Sequence, residues 1–181
     1  PFGVGLRLGA TAMQALESPE RREALRAALA EGHLYAFTIN GFPYGQFHGG
    51  PVKADVYKPD WRTAARAEYT RKLADLLADL LPEGCSGSIS TVPGSYRAWL
   101  KSEGDAGAIV NRLLDTVQHL QGLHLRTGRL VQLALEPEPA CMLETTDECV
   151  AFFHNRLLPA AAARGLEESI VLRHLGVCLD T

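Results

Sequence analysis

The stretch 130–148, LVQLALEPEPACMLETTDE, contains the pattern that decides the fold. Residues 130–136 form a short, nearly continuous apolar run, which predicts a β-strand. Pro137 follows directly, and because proline has no backbone N–H it ends the pairing of that strand. Further on, Thr145 and Glu148 have the spacing of a capping box, which predicts the start of a helix. The stretch therefore predicts one strand followed by one helix.

The same alternation runs along the whole chain. Apolar runs predict further strands at residues 4–8, 34–39, 88–92 and 175–180, and their continuity indicates strands covered on both faces. Helical periodicity and caps predict helices at 19–31, after Ser18 as N-cap, at 61–81 and at 105–127, before Gly128 as C-terminal cap. Alternating strands and helices indicate right-handed parallel βαβ units.

Two architectures are built from such units, an open doubly wound sheet and a closed (β/α)8 barrel. The open sheet usually carries GxGxxG or a P-loop after an early strand, and the sequence contains neither motif. The missing motifs favour an α/β fold of the (β/α)8 TIM-barrel type, but the pattern alone leaves the open sheet as an alternative. Five strands are visible, three fewer than a barrel has, so in a barrel the chain is expected to supply about five βα units of a single TIM-barrel domain over residues 1–181.

Composition narrows the class of protein. The chain has 181 residues, of which 46% are hydrophobic, enough for a core. Its formal net charge of -3 offers no general attraction to nucleic acid, so no nucleic-acid partner is expected. No apolar run reaches the roughly 20 residues that cross a bilayer, which predicts a cytoplasmic protein without membrane insertion. The four cysteines lack CxxC spacing and are expected to be free thiols.

Acidic side chains stand at two predicted strand ends. Glu136 ends the strand 130–136, and Asp180 ends the strand 175–180. If these strands are parallel neighbours, the carboxylates lie about 5 Å apart and repel one another unless a cation compensates. A divalent metal ion bound by Glu136 and Asp180 is one solution. The alternative is that Glu136 caps a loop or pairs with an arginine.

A long connection, residues 40–61, follows the strand 34–39. Connections of this length are usually functional, although a packed lid with incidental polar groups is an equally simple interpretation. Its aromatic and hydrogen-bonding side chains suit a polar, ring-shaped ligand. His48 is also a candidate metal ligand or proton carrier. The candidate substrate-binding residues are Asn40, Phe42, Tyr44, His48, Lys53 and Trp61, together with Glu138 in the loop after Glu136.

The motifs GVCLDT, residues 176–181, and LALEPEP, residues 133–139, resemble the xylose isomerase-like superfamily, which includes endonuclease IV. Longer stretches resemble its metabolite-traffic branch, associated with bacterial ebo clusters: PFGVGLRL, YAFTINGFPYGQFHG, VKADVYKPDW and GSISTVPGS. The resemblance implies a first strand upstream, further strands downstream, and Glu136 and Asp180 as metal ligands. The implied cofactor is a divalent ion such as Mn, Mg, Zn or Co.

Three functions are compatible with these observations. The first is a metal-dependent sugar or sugar phosphate isomerase or epimerase, with Glu136 and His48 as catalytic residues and a polyol or sugar-like metabolite as substrate. The second is a barrel that binds such a metabolite, or assists its export, without turnover. The third is an endonuclease-like phosphodiesterase, against which the acidic charge balance argues.

Overall fold

The computed structural model describes residues 1–45 and 54–179. The described residues form strands β1 (Phe2–Arg7), β2 (Leu34–Asn40), β3 (Ser86–Thr91), β4 (Leu130–Leu135) and β5 (Leu175–Val177). The helices are α1 (Ala10–Ala15), α2 (Pro19–Glu31), α3 (Ala64–Leu80), α4 (Glu103–Thr127), α5 (Thr146–Phe152), α6 (Leu158–Ala163) and α7 (Glu168–His174). Two short 3-10 turns span Ala54–Tyr57 and Arg97–Trp99, and a π-turn spans Phe153–Leu157.

The five strands form one all-parallel sheet in the order β1-β2-β3-β4-β5. Each strand thus pairs with its neighbours in sequence, and the predicted α/β class with parallel strands is confirmed. The predicted TIM barrel, however, is wrong. Within residues 1–45 and 54–179 the strands β1 and β5 pair on one side only, so the sheet is open and has two edges.

One face of the sheet carries the hydrophobic core. In the strand register Ile39 lies beside Ile89, Ile89 beside Leu133, and Leu133 beside Leu175. None of these four side chains is more than 2% exposed. Helices α3, α4 and α7 contact the strands and supply the rest of this core. Burial of this continuous apolar row is the main stabilising contribution that the sheet makes.

The opposite face is open and polar. Because successive residues of a strand point to opposite faces, the row next to the core row faces the other way. It contains Asn40, Ser90, Ala134 and Gly176, which are exposed or half-buried. The strands were predicted to be covered on both faces, and within the described residues they are covered on one. At these positions small and polar residues alternate with the apolar residues of the core row, and the former lie on the face opposite the core.

The helix boundaries follow local capping chemistry. The Ser18 side chain accepts a hydrogen bond from the backbone N–H of Arg21 at the start of α2. Thr145 and Glu148 form the predicted capping box of α5. Gly128 ends α4 with φ 70°, a left-handed conformation that glycine adopts without strain. No described helix combines the length and the apolar character needed to cross a membrane.

Candidate functional site

Three strands of the sheet end at a common edge. Asn40 at the end of β2 is in register with Ser90 of β3, and the backbone N–H of Gly41 donates to the Ser90 carbonyl over 3.0 Å. Beyond β4, the Glu136 N–H donates to the Thr91 carbonyl over 3.0 Å. These bonds bring the segments that leave β2, β3 and β4 side by side. We call this region the strand-exit edge.

The segment that leaves β2 is turned by local contacts. The Asn40 Oδ1 atom accepts a hydrogen bond from the Phe42 N–H over 3.1 Å. Gly41 lies so close to the core that an added Cβ would be 2.9 Å from side-chain atoms of Ile89 and Leu73. Phe42 is 8% exposed, and its ring meets Tyr57 edge-on with centroids 5.7 Å apart. Asn40 remains exposed at the edge, whereas Phe42 is mostly core.

Arg66 on α3 ties the two ends of the long connection together. Its guanidinium is fully buried and donates to the carbonyls of Pro59 over 2.7 Å, Gly41 over 2.8 Å and Phe42 over 3.2 Å. Burial lowers the pKa of Arg66 to about 10, so the side chain stays charged at neutral pH. A buried cation that uses its donors on backbone carbonyls fixes the path of the chain around it.

Tyr44 lies beside this anchor. Its half-buried ring meets the Tyr69 ring edge-on, with centroids 5.1 Å apart, and the Arg66 Cζ atom is 5.9 Å from the Tyr44 centroid. The Tyr69 hydroxyl donates to the carbonyls of Leu8 and Pro43, and burial raises the pKa of Tyr69 to about 12. A cavity of about 270 Å³ between α1 and α3 opens next to Tyr44 and is also lined by Glu17, Glu68 and Lys72.

A second buried anchor joins the long connection to the exit of β3. The Asp60 carboxylate is 2% exposed and accepts hydrogen bonds from Ser95 Oγ over 2.6 Å, from Arg62 Nε over 2.8 Å and from the Arg62 N–H over 3.0 Å. Arg62 also donates through Nη1 to the Trp99 carbonyl over 2.9 Å. The carboxylate is thus fully hydrogen-bonded, as a buried charge must be.

Trp61 has no exposed surface. Its indole Nε1 donates to Thr91 Oγ1 over 3.2 Å, and its backbone N–H donates to the Gly94 carbonyl over 3.0 Å. The side chain therefore fastens the long connection to β3 from inside the core. Because it is fully buried, the Trp61 indole is not available for the predicted contact with a substrate.

Three half-buried aromatic side chains meet at the strand-exit edge, and we call them the tyrosine–tryptophan cluster: Tyr57, Tyr96 and Trp99. The Tyr57 and Tyr96 rings are stacked, with centroids 5.8 Å apart and planes 16° apart. The Trp99 ring is 5.4 Å from Tyr96. The cations of Lys58 and Arg62 lie 5.0 Å and 5.7 Å from the Trp99 centroid.

The segment that leaves β4 reaches the same cluster. Tyr96 and Cys141 form an antiparallel bridge, and the Met142 N–H donates to the Ser95 carbonyl over 2.8 Å. Burial raises the pKa of Tyr57, and a hydrogen bond with the Cys141 thiol and the negative charge of Glu138 raise it further. Burial also raises the pKa of Cys141 to about 11, so this thiol is neutral. Glu138 is thus an acidic neighbour of the Tyr57 hydroxyl.

The predicted site residues do not all lie in one place in the structure. Asn40, Glu136 and Glu138 lie at the strand-exit edge, and the latter two are half-buried. Tyr44 lies at the neighbouring α1–α3 cavity. His48, Lys53 and Asp180 lie outside the described residues, so the predicted pairing of Glu136 with Asp180 stays a prediction. Among residues 1–45 and 54–179, no group of three or more His, Cys, Asp or Glu side chains could hold a metal ion.

Comparisons with protein-family models, with curated proteins and with solved structures found no match to this chain.

Proposed function

We propose that this chain binds a small, polar, ring-shaped metabolite, such as a sugar or a polyol, at the strand-exit edge. The observation that carries the proposal is the tyrosine–tryptophan cluster, in which aromatic rings from the exits of β2 and β3 lie together. The negative charge of Glu138, from the exit of β4, is near enough to raise the pKa of Tyr57. Ligand sites in parallel α/β sheets lie beyond the carboxyl ends of the strands. Flat apolar surfaces with a few fixed polar groups are the usual composition of such sites.

The two buried anchors support the same proposal. Arg66 fixes the chain around Gly41 and Pro59, and Asp60 joins the segment after β2 to Ser95 after β3. Their effect is to hold Tyr57 and Tyr96 in one arrangement before any ligand arrives. A surface that is already ordered loses less conformational entropy on binding, which favours affinity for a small ligand.

For the chemistry we propose an isomerase or epimerase reaction, on the resemblance of GVCLDT and LALEPEP to the xylose isomerase-like superfamily. Glu136 is the proposed base that moves a proton between neighbouring carbon atoms of the substrate. A divalent ion would polarise the substrate carbonyl or hydroxyl. Its proposed protein ligands are Glu136 and Asp180, with His48 as a further candidate. The described residues alone do not complete a metal site. This part of the proposal therefore depends on Asp180 and His48, which lie outside the described residues.

Binding is tested by tryptophan fluorescence with a panel of sugars and polyols. The chain has two tryptophans, of which Trp99 is half-buried in the cluster and Trp61 is fully buried. We expect a saturable change in emission for the unaltered protein and for Trp61→Phe, and none for Trp99→Phe. Absence of any saturable change across the panel, with all three proteins folded, would contradict the binding proposal.

Turnover is tested separately, by NMR of each bound sugar with and without added Mn²⁺, Mg²⁺, Zn²⁺ or Co²⁺. We expect metal-dependent conversion by the unaltered protein, loss of conversion in Glu136→Gln, and normal conversion in the exposed control Glu83→Gln. A sugar that binds but is recovered unchanged under every condition would support the second function, a metabolite-binding protein without turnover.

A further inference from the structure

A buried histidine lies at the junction of α7 and β5. His174 is the last residue of α7, Leu175 begins β5, and the His174 side chain is 1% exposed. Its Nδ1 atom lies 3.0 Å from the Val131 carbonyl of β4. Since a carbonyl only accepts hydrogen bonds, Nδ1 carries the proton, and the neutral ring has its unprotonated nitrogen at Nε2. The ring thus ties the end of α7 to the neighbouring strand.

A second histidine from α4 packs against this ring. The His124 and His174 rings meet edge-on with centroids 6.1 Å apart. The Nδ1 atom of His124 is buried and has no hydrogen-bond partner in the described part of the chain. The two imidazoles therefore share a pocket between α4, α7 and β4 that offers little to stabilise a new positive charge.

On α4 and α7, the charged side chains nearest to the pair in sequence are cationic. On α7, Arg173 precedes His174, and the acidic Glu168 stands at the opposite end of the helix. On α4, Arg126 follows His124 in the last turn. β4 contributes the Val131 carbonyl to the pocket. The side-chain amide of Gln132, also on β4, donates a hydrogen bond to the Arg173 carbonyl over 3.0 Å. A proton on His174 would add charge of the same sign.

We propose that the His124–His174 pair is an acid-sensitive latch, and that protonation of His174 releases α7 and β5 from β4. The latch acts on the weakest part of the sheet, because β5 has three residues and pairs with β4 alone among the described strands. His174 is joined to β5 by one peptide bond, so movement of its ring is transmitted to the edge strand directly.

The direction of the pH dependence follows from burial. Burial lowers the pKa of His174; the hydrogen bond to Val131 opposes this, and the charges of His124 and Arg173 add to it. The C-terminal position on α7 favours the cation, but a helix of seven residues has a weak dipole. The unfolded chain therefore binds the proton more readily than the folded one. Stability from this group is complete above about pH 6.5 and is lost as the pH falls below that value.

The test is chemical unfolding of the full chain between about pH 8 and pH 5, with hydrogen exchange read at α7 and β5. For one buried histidine the folding equilibrium constant should fall by up to about tenfold per pH unit below about pH 6.5. Amides of residues 168–178 should lose protection first. His174→Asn, which keeps a side-chain donor for the Val131 carbonyl, should be less stable at about pH 8 but should have a flatter pH dependence.

The exposed His154 provides a matched control, and His154→Gln should keep the pH dependence of the unaltered protein. If His174→Asn does not fold, the imidazole resonances of the unaltered protein decide the matter. His174 should then show no titration at about pH 6.5 while the protein is folded. A normal titration of His174 in the folded protein would overturn the proposal. Equal pH slopes in His174→Asn and the unaltered protein, or uniform loss of protection along the chain, would do the same.

Discussion

Tyr57 stacks on Tyr96 with the ring centroids 5.8 Å apart, although the two residues follow different strands of the sheet. The contact depends on the loops being held in register, since Tyr57 ends a 3-10 turn after β2 and Tyr96 stands just after β3. Stacked aromatic pairs contribute about 0.5–1.5 kcal/mol beyond the area they bury. The stacking therefore favours the arrangement of the two rings that the structure shows.

Replacement of Tyr96 tests that surface. Tyr96→Ala removes the ring between Tyr57 and Trp99, and we expect affinity for a bound sugar or polyol to fall roughly tenfold, equivalent to about 1.4 kcal/mol. Titration followed by Trp99 fluorescence measures the change, with calorimetry as a check that does not depend on the altered ring. Tyr35→Ala is the control, because Tyr35 lies within β2, away from the cluster. Unchanged affinity in Tyr96→Ala would remove the cluster from the binding surface.

Loss of the buried carboxylate should be costly. Asp60→Ala removes the acceptor of Arg62 Nε and the nearer acceptor of the Ser95 hydroxyl. We expect a loss of about 3 kcal/mol in the free energy of unfolding, reduced somewhat because Arg62 is partly exposed and still donates to the Trp99 carbonyl. Equilibrium unfolding in guanidinium chloride measures this loss of stability. Asp55→Ala, which breaks the exposed pair with Lys58, should cost less than about 1 kcal/mol. Equal losses in the two variants would show that Asp60 is not an anchor.

Two substitutions of Arg66 should lower stability by different amounts. Arg66→Met removes the donors to three carbonyls, each of which costs about 1–3 kcal/mol when left buried and unsatisfied. Arg66→Lys should recover part of the loss, because an ammonium group donates but cannot span the same three acceptors. Thermal and chemical unfolding give the values. The exposed Arg26, changed to Met, should lower stability by less than about 1 kcal/mol; a similar effect at Arg66 would contradict its role.

The four thiols should react in a defined order with a disulfide reagent at about pH 8. Cys85 and Cys178 are half-buried, whereas Cys141 is fully buried and its pKa is raised to about 11 by burial. The thiolate is the reactive form, so we expect Cys141 to react last and only as the protein opens. Mass spectrometry of the labelled peptides reads the order, and unfolded protein, in which all four should react alike, is the control. Early labelling of Cys141 would show that the exit of β4 opens readily.

Local chemistry made much of the fold predictable from the sequence. The apolar run predicted as the strand 130–136 is β4 (Leu130–Leu135), and Ser18, Gly128 and the Thr145–Glu148 box mark real helix ends. These features depend on neighbouring residues alone. The helix after Thr145 is interrupted by a π-turn, Phe153–Leu157, just before Pro159, whose ring is incompatible with a regular helix hydrogen bond.

Features that depend on distant residues were harder to predict. Closure of the sheet was predicted from missing motifs and from a resemblance of short stretches, whereas pairing of β1 and β5 is decided by contacts between remote parts of a chain. Trp61 was expected beside a ligand because it ends the long connection, yet it lies in the core. Tyr96 and Trp99 were not expected at the site, although they follow STVPGS directly, and an aromatic pair just after a strand end was the available signal.

The two edges of the sheet have a consequence for how copies of the chain would meet. Among the described strands, β1 and β5 run in the same direction and bound opposite sides of the sheet, so β5 of one copy can add to β1 of the next with parallel pairing. Such head-to-tail contacts close into a ring if the rotation between copies allows it, and otherwise grow as open filaments. Light scattering against protein concentration separates the two outcomes, because the mass of a ring reaches a plateau whereas the mass of a filament continues to rise.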